Sequence, residues 1–383
     1  MKRKVWKFFK RLFLGLLSLI VLLVLATWAF FSFAPQIGGE ASGERLRAMQ
    51  ASPQYDTQEE VFVNQIKTVM DMGFDKTLTV AGEYMGEDPG RDPQQTFETK
   101  TFDAEAYLAA SDDSLASVTW FGHSTVLLQV DGKLVLTDPV LSERASMFPF
   151  MGPKRFDYSY HLAVQDLPAL DVVLISHDHY DHLDYESIQA LSEKTSQFLV
   201  PLGVGAHLEA WGVPATKIKE MDWWQETSNG SVTFTCTPSR HFSGRALSDR
   251  NSTLWSSWVI AGEHQKLYFS GDTGYGPHFA EIGQRLGPFD FTMMECGAYS
   301  QYWDNIHLMP EETAQANLDL QGRVMMPIHW GKFNLSLHAW KEPVLRLLPA
   351  AEALGQEVVT PVQGQRIYIP GTPSTEHWWE AYQ

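Results

Sequence analysis

Apolar and polar positions give the chain three successive textures. Leu12 to Phe33 is a run of 22 residues without a charge, relieved only by the small or weakly polar Gly15, Ser18, Ala26, Thr27, Ala29 and Ser32. As a helix rising about 1.5 Å per residue it reaches roughly 33 Å, enough to cross a hydrocarbon core of about 30 Å. A cleaved signal peptide is the competing reading, but its apolar region usually runs about 7–15 residues and closes on a small-x-small site. This run is longer and ends Trp-Ala-Phe-Phe-Ser-Phe, so an uncleaved transmembrane signal anchor is expected over 12–33. Residues 34–115 are mixed and polar, with Gly38-Gly39, Pro53 and the turn-rich stretch from Gly86 to Pro93. They read as an extension that packs on the main domain, with a short helix over Val61 to Met72.

From about Ser117 the pattern becomes a succession of short apolar or alternating runs. These predict strands at Val118–Phe121, Thr125–Val130, Lys133–Leu136, Val172–Ser176, Ser231–Cys236, Trp255–Ala261, Lys266–Phe269, Phe289–Met294 and Val324–Ile328. Asp131-Gly132 and Asn229-Gly230 mark hairpin turns. Helical spacing appears at Tyr185–Lys194 and Glu311–Leu320, and many strands with interspersed helices predict a layered α/β domain over 116–383. No internal repeat is visible.

Composition narrows the class. With 44% hydrophobic and 20% charged residues and only two cysteines, the chain is neither disordered nor a disulfide scaffold. The formal net charge is −17, from 29 Lys+Arg against 46 Asp+Glu. Lys2, Arg3, Lys4, Lys7, Lys10 and Arg11 precede the apolar run, which leaves 23 basic against 46 acidic residues beyond it. A basic cluster on that side keeps residues 1–11 in the cytoplasm and sends the remainder across the membrane, to the periplasmic face if the membrane is a Gram-negative inner membrane. So acidic a body lacks the cationic footprint of a nucleic-acid partner.

The chemistry concentrates in Asp171-Val-Val-Leu-Ile-Ser-His-Asp-His-Tyr-Asp-His-Leu-Asp184. An apolar strand delivers His177, His179, Asp181 and His182 into a loop at its C-terminal edge, where sites in α/β sheets gather. Three imidazoles with carboxylates in six residues are poorly accommodated by packing alone, and a divalent cation resolves the conflict. Zn²⁺ suits such donors, as do Mn²⁺ and Fe. Three further donors follow predicted strands: His241, Asp272 in Ser270-Gly-Asp-Thr-Gly274, and His329.

His177-x-His179-x-Asp181-His182 with His241, Asp272 and His329 resembles the metallo-β-lactamase fold superfamily. Trp120-Phe-Gly-His-Ser-Thr125, Leu136-Thr-Asp-Pro139, Met151-Gly-Pro-Lys-Arg-Phe156, Asn251 to Trp258, Ser270 to Tyr275 and Ile328-His-Trp-Gly331 are similar to its N-acylphosphatidylethanolamine-hydrolysing phospholipase D branch. The resemblance implies an αββα sandwich, two mixed sheets face to face with helices outside. It implies two Zn²⁺, one held by His177, His179 and His241, the second by Asp181, His182 and His329, with Asp272 bridging. Cys236 and Cys296 match no ligand slot of the true β-lactamases, which disfavours antibiotic hydrolysis.

Two cations about 3.5–4 Å apart meet both demands of phosphodiester hydrolysis, generating hydroxide at neutral pH and neutralising the developing charge. Asp272 would position the pair and Asp181 could also orient the hydroxide, so both are catalytic candidates. His307, in Asn305-Ile-His-Leu-Met-Pro, resembles the family's substrate-positioning or proton-delivering histidine. His123 reads as a hydrogen-bonding residue near the site. Asp184 reads either as a partner to a ligand imidazole or as a helix cap before Tyr185. Met147-Phe-Pro-Phe-Met151 reads either as a bilayer or acyl-chain contact or as a core plug. The expected activity is hydrolysis of N-acylphosphatidylethanolamine or a related phospholipid to an N-acylethanolamine and phosphatidic acid, by a membrane-bound chain that could dimerise. The alternatives are lactone or cyclic-phosphodiester hydrolysis on the same fold, or a noncatalytic envelope-binding module.

Overall fold

The computed structural model describes residues 2–69, 73–112, 114–246, 248–371 and 377–382. Helix α1 (Lys2–Phe33) contains the apolar run, and its Arg3–Leu25 segment is long and apolar enough to cross a membrane and is left uncovered by the other described residues. After it come α2 (Gly43–Gln50), the small hairpin β1 (Tyr55–Asp56) and β2 (Val61–Phe62), α3 (Phe74–Tyr84) and α4 (Ala104–Ala109). The helix expected over Val61 to Met72 is not formed. Val61 and Phe62 pair with β1, and residues 63–69 are irregular, while Met70–Met72 lie outside the described residues. The backbone there is spent on pairing: Phe62 donates to Asn251 O and Val63 to Gln54 O, both at 2.8 Å.

The body is two seven-stranded sheets, counted among the described residues. The first contains β3 (Ala116–Trp120), β4 (Val126–Val130), β5 (Lys133–Thr137), β6 (Leu170–Leu174), β7 (Thr195–Pro201) and β8 (Ile218–Met221). The second contains β9 (Glu226–Asn229), β10 (Val232–Thr237), β11 (Ser257–Ala261), β12 (Lys266–Phe269), β13 (Phe289–Glu295), β14 (Gly322–Ile328) and β15 (Glu357–Val358). The last strand, β16 (Arg366–Ile369), returns to pair with β3. Each sheet begins antiparallel and finishes parallel: β5 to β8 run parallel in the first, β12 to β15 in the second. The chain thus repeats one topology twice, a symmetry with no trace in its sequence.

Alternation along the strands explains the layers. Val118, Leu128, Val172 and Leu174 meet Phe234, Trp258, Phe269, Met293 and Ile328 between the sheets. Leu127, Leu136, Val173 and Val200 face outward onto α5 (Tyr185–Leu191) and α6 (Gly205–Ala210). On the far side Val259, Tyr268, Met294 and Met325 pack under α7 (His278–Leu286), α8 (Pro310–Asp319) and α9 (Glu342–Ala353). This is the expected αββα sandwich. Residues of the 34–115 stretch lie against it: Arg45 meets Glu220 at 2.6 Å and Glu209 at 3.0 Å, and Phe97 is fully buried among the inter-sheet aromatics.

Candidate metal centre

All seven predicted ligands converge at one edge of the sandwich. His177 to His182 occupy the loop between β6 and α5, where turn bonds from His182 N and Leu183 N to His179 O fold the loop back on itself. His241 follows β10, Asp272 follows β12, and His329 follows β14 directly. Gly271 allows the close approach of Asp272: its φ is +56°, and a Cβ there would lie 2.5 Å from the Ser176 Cβ.

The donors form two groups joined by one carboxylate. In the first, His179 Nδ1 lies 2.9 Å from His177 Nε2 and 3.2 Å from His241 Nε2, with Asp272 Oδ2 at 3.9 and 3.8 Å from the latter two. In the second, His329 Nε2 lies 3.3 Å from Asp181 Oδ2 and 3.1 Å from Asp272 Oδ2, and His182 Nε2 lies 3.4 Å from Asp181 Oδ2. Ligands about 2.0–2.1 Å from one tetrahedral Zn²⁺ stand roughly 3.3 Å apart, so these spacings suit a shared cation. A sharper observation is that His182 Nε2 and Asp272 Oδ1 are buried 3.1 Å apart and neither makes a hydrogen bond. Two such atoms left unpaired are costly unless a cation takes both lone pairs. The residues fit a dinuclear centre.

The remaining imidazole nitrogens are held from behind. His182 Nδ1 meets the fully buried carboxylate of Asp138 at 2.7 Å, and Asp138 also accepts from Ser176 Oγ at 2.6 Å. Ser176 Oγ in turn lies 2.9 Å from His177 Nδ1, and His241 Nδ1 lies 2.9 Å from Ile306 O. Such partners fix ring orientation and tautomer. Trp258 Nε1 donates to Ile175 O at 3.0 Å, pinning the root of the His177 loop. Of the two readings of Asp184, the helix cap holds: its carboxylate accepts from Ser187 N at the start of α5 and from Ser142 Oγ at 2.6 Å. Asp138 does what the other reading assigned to Asp184.

His123 and His329 both adopt left-handed backbone, φ 54° and 67°, locked by His123 N donating to Trp330 O and His329 N to His123 O, each at 3.0 Å. This brings His123 Nε2 to 2.9 Å from Asp181 Oδ2, a hydrogen-bonding position as expected. His307 stands between His241 and His329, ring centres 5.1 and 5.3 Å away, with Nδ1 bonded to the buried Glu295 at the end of β13. Asp272, Glu295, His307 and His329 form a third compact donor group. Asp138, Glu295 and Asn64 were not singled out from the sequence as functional. Asn64 Nδ2 donates to His241 O at 2.8 Å, and its Oδ1 accepts from His241 N at 3.1 Å.

Charge is finely divided here. Burial drives the His177 imidazole well below its ordinary range, with His182, His179 and His241 adding to the effect. Burial pulls the same way on His182 and His329, but Asp272 and Asp181 outweigh it, raising His182 well above the ordinary value and His329 to about 10. Positive charge is therefore favoured at the second group, where a cation would replace those protons.

A beta-lactamase superfamily domain model matches residues 133–330. The uncharacterized protein Rv0906 of Mycobacterium tuberculosis is 49% identical over 272 residues, 70% of this chain and 73% of the relative. N-acyl-phosphatidylethanolamine-hydrolyzing phospholipase D 1 of Caenorhabditis elegans is 38% identical over 227 residues, covering 56% of this chain and 64% of that protein. In fold, the chain is similar to a metallo hydrolase of the archaeon Ignicoccus hospitalis, with a TM-score of 0.52 at 18% identity over 67% of this chain and 100% of that one. On the domain match, which spans the β5–β14 core and six of the clustered donors in addition to His329, this chain belongs to the metallo-β-lactamase superfamily of metal-dependent hydrolases.

Proposed function

We propose that the protein is a membrane-anchored, zinc-dependent phosphodiesterase of phospholipase D type, acting on N-acylphosphatidylethanolamine or a closely related phospholipid. The observation that carries this reading is the pair of donor groups sharing Asp272, because a structural site needs only one closed shell. The likeness to the nematode phospholipase D supports the substrate class, and α1 supports delivery of an insoluble substrate. In this reading His177, His179 and His241 hold one cation, Asp181, His182 and His329 the other, and Asp272 both. Bound there, two divalent cations supply a nucleophile at neutral pH and neutralise phosphoryl charge.

The chain's own groups do the rest. Asp138 and Ile306 O keep the lone pairs of His182 and His241 aimed inward. His123 holds one oxygen of Asp181, leaving that carboxylate a fixed acceptor beside the reacting phosphate. Glu295 fixes Nδ1 of His307, so that Nε2 is the atom that gives its proton to the departing alkoxide. Residues 1–11 remain in the cytoplasm, and the sandwich works on the other side of the membrane.

The test uses the full chain in detergent. Bound metal is counted per chain, and turnover of N-acylphosphatidylethanolamine, a soluble phosphodiester and an acyl lactone is compared with that of His179→Ala. Two zinc ions per chain and lipid hydrolysis abolished by the substitution are expected. Turnover of the lactone alone would sink the lipid reading, and two bound metals without any turnover would favour a binding module.

A further inference from the structure

The junction between α1 and the sandwich lies beside the metal loop. After α1 the turn Pro35–Ile37 is fastened to the body, with Trp211 Nε1 donating to Pro35 O at 2.6 Å. Arg245 Nε and Nη2 both donate to Gln36 O, at 2.9 and 2.7 Å. Arg245 is buried, and its Nη1 reaches the carbonyls of Asp178 and Leu183, within and just after the loop that carries four of the clustered donors. One guanidinium therefore links the point where the chain leaves its apolar helix to the metal loop. That geometry holds this edge of the sandwich beside the end of α1.

The loop after β5 lies on the same edge. Phe148 stacks on Phe30 in the last turns of α1, ring centres 4.6 Å apart. Beyond it Phe150 is 75% exposed and Met151 53% exposed, while Arg144 stands at the loop's base with Nη1 bonded to Gly152 O. A cleft lined by Gln36, Arg144, Pro149, Tyr180, Tyr185 and Arg245 separates this loop from the metal loop. Trp at the end of a spanning helix marks the membrane interface, as the exposed Trp28 does on α1, and Phe148 lies against Phe30 half a turn further on. Two apolar side chains projecting from that depth, with a cation behind them, match a phospholipid surface better than water.

We propose that residues 146–151 form a second membrane contact, in which Phe150 and Met151 enter the leaflet from which α1 emerges. Arg144 then lies level with the lipid phosphates, and the cleft opens onto headgroups still embedded in the bilayer. This deepens the proposed function by naming how substrate is presented, and it rests on α1 spanning the membrane.

The experiment places an environment-sensitive fluorophore on Phe150→Cys in the full chain, reconstituted into phosphatidylethanolamine–phosphatidylglycerol vesicles. The two native cysteines, Cys236 and Cys296, are buried. Lipids carrying a quencher high on the acyl chain should quench this label at least about threefold more than the same label on Leu345→Cys, which is exposed on α9. Circular dichroism of both labelled proteins checks that they are folded. Equal quenching at the two positions would overturn the proposal, as would shielding that follows protein density rather than quencher, since that marks a second copy of the chain. No turnover is read, so lipid quenching in a protein inactive on N-acylphosphatidylethanolamine would count against the proposed catalysis alone.

Discussion

Asp138 and Lys332 show what individual residues do that their types do not announce. Asp138 directly follows β5 and is fully buried, yet it orients His182 across 44 positions of sequence. Lys332 comes three residues after His329, also buried, with Nζ donating to Val140 O at 2.7 Å and Phe121 O at 3.4 Å. Burial, with Arg155 nearby, lowers its pKa to about 7. Between about 7 and the unfolded value near 10.4 the unfolded chain holds a proton that the folded chain lacks, so this residue makes stability rise with pH across that window. Lys332→Met is expected to flatten the melting temperature between pH 7 and pH 10, as followed by thermal unfolding. A profile climbing as steeply as that of the parent chain would refute this account. The ligands themselves were legible because their chemistry is contiguous or abuts an apolar run. Lys332 was not, since a lone charged residue reads as solvated until packing encloses it, and Asp138 stood only within the Leu136-Thr-Asp-Pro139 motif, with no role attached to it.

At the scale of elements, the strands with clean alternation or continuous apolar runs were readable to within a few residues, and β12 coincided with Lys266–Phe269. Others escaped for physical reasons. β7 opens on the polar Thr195-Ser-Gln197 and runs through buried Phe198, Leu199 and Val200 into Pro201, so its apolar part is too short and too continuous to show alternation. β9, Glu-Thr-Ser-Asn, is a polar edge strand that exists because β10 pairs with it. Helix α7 carries a helical stripe of Phe279, Ile282, Gly283 and Leu286, but the Pro277 just before it and the Gly287-Pro288 just after it obscure its bounds. The hairpin β1–β2 and its following residues matter more than their polar texture suggested, because Asn64 grips both backbone groups of His241. Asn64→Ala should leave the far-ultraviolet circular dichroism intact and weaken metal binding by about tenfold, the scale of losing a partner behind a ligand. Competition with a chromophoric chelator measures it, and unchanged affinity at both sites would show that Ile306 O alone suffices to hold His241.

For the whole molecule, the −17 charge divides between a cationic start and an acidic body, and part of that acidity is gathered at one sheet edge. Buried Asp272 and half-buried Asp181, with His182 and His329 beside them, belong to a centre whose orphaned atoms call for cations. Metal that binds only the folded chain stabilises it, by about 2.7 kcal/mol at a hundredfold excess over the dissociation constant. Stripping metal with a chelator should therefore lower the melting temperature by a few degrees. Restoring zinc should recover it. An unchanged melting temperature after metal loss, verified by elemental analysis, would mean that the donors are held apart without help.

The sequence alone determined the membrane-length helix, a layered α/β body and the seven candidate donors, while the αββα sandwich was implied by the resemblance those donors carry. The first three rest on local signals: an uninterrupted apolar run, strand-length hydrophobic patterns, and donors placed just after strands, where side chains emerge at a sheet edge. Tertiary structure decided what stands behind the donors and beside them. Asp138, Glu295, Asn64 and Arg245 come from elements far apart in the chain, and each becomes adjacent to the site only through strand pairing, packing or the docking of the 34–37 turn. Hydrogen-bond geometry is set by distances across sheets and loops, and a one-dimensional pattern does not carry those distances.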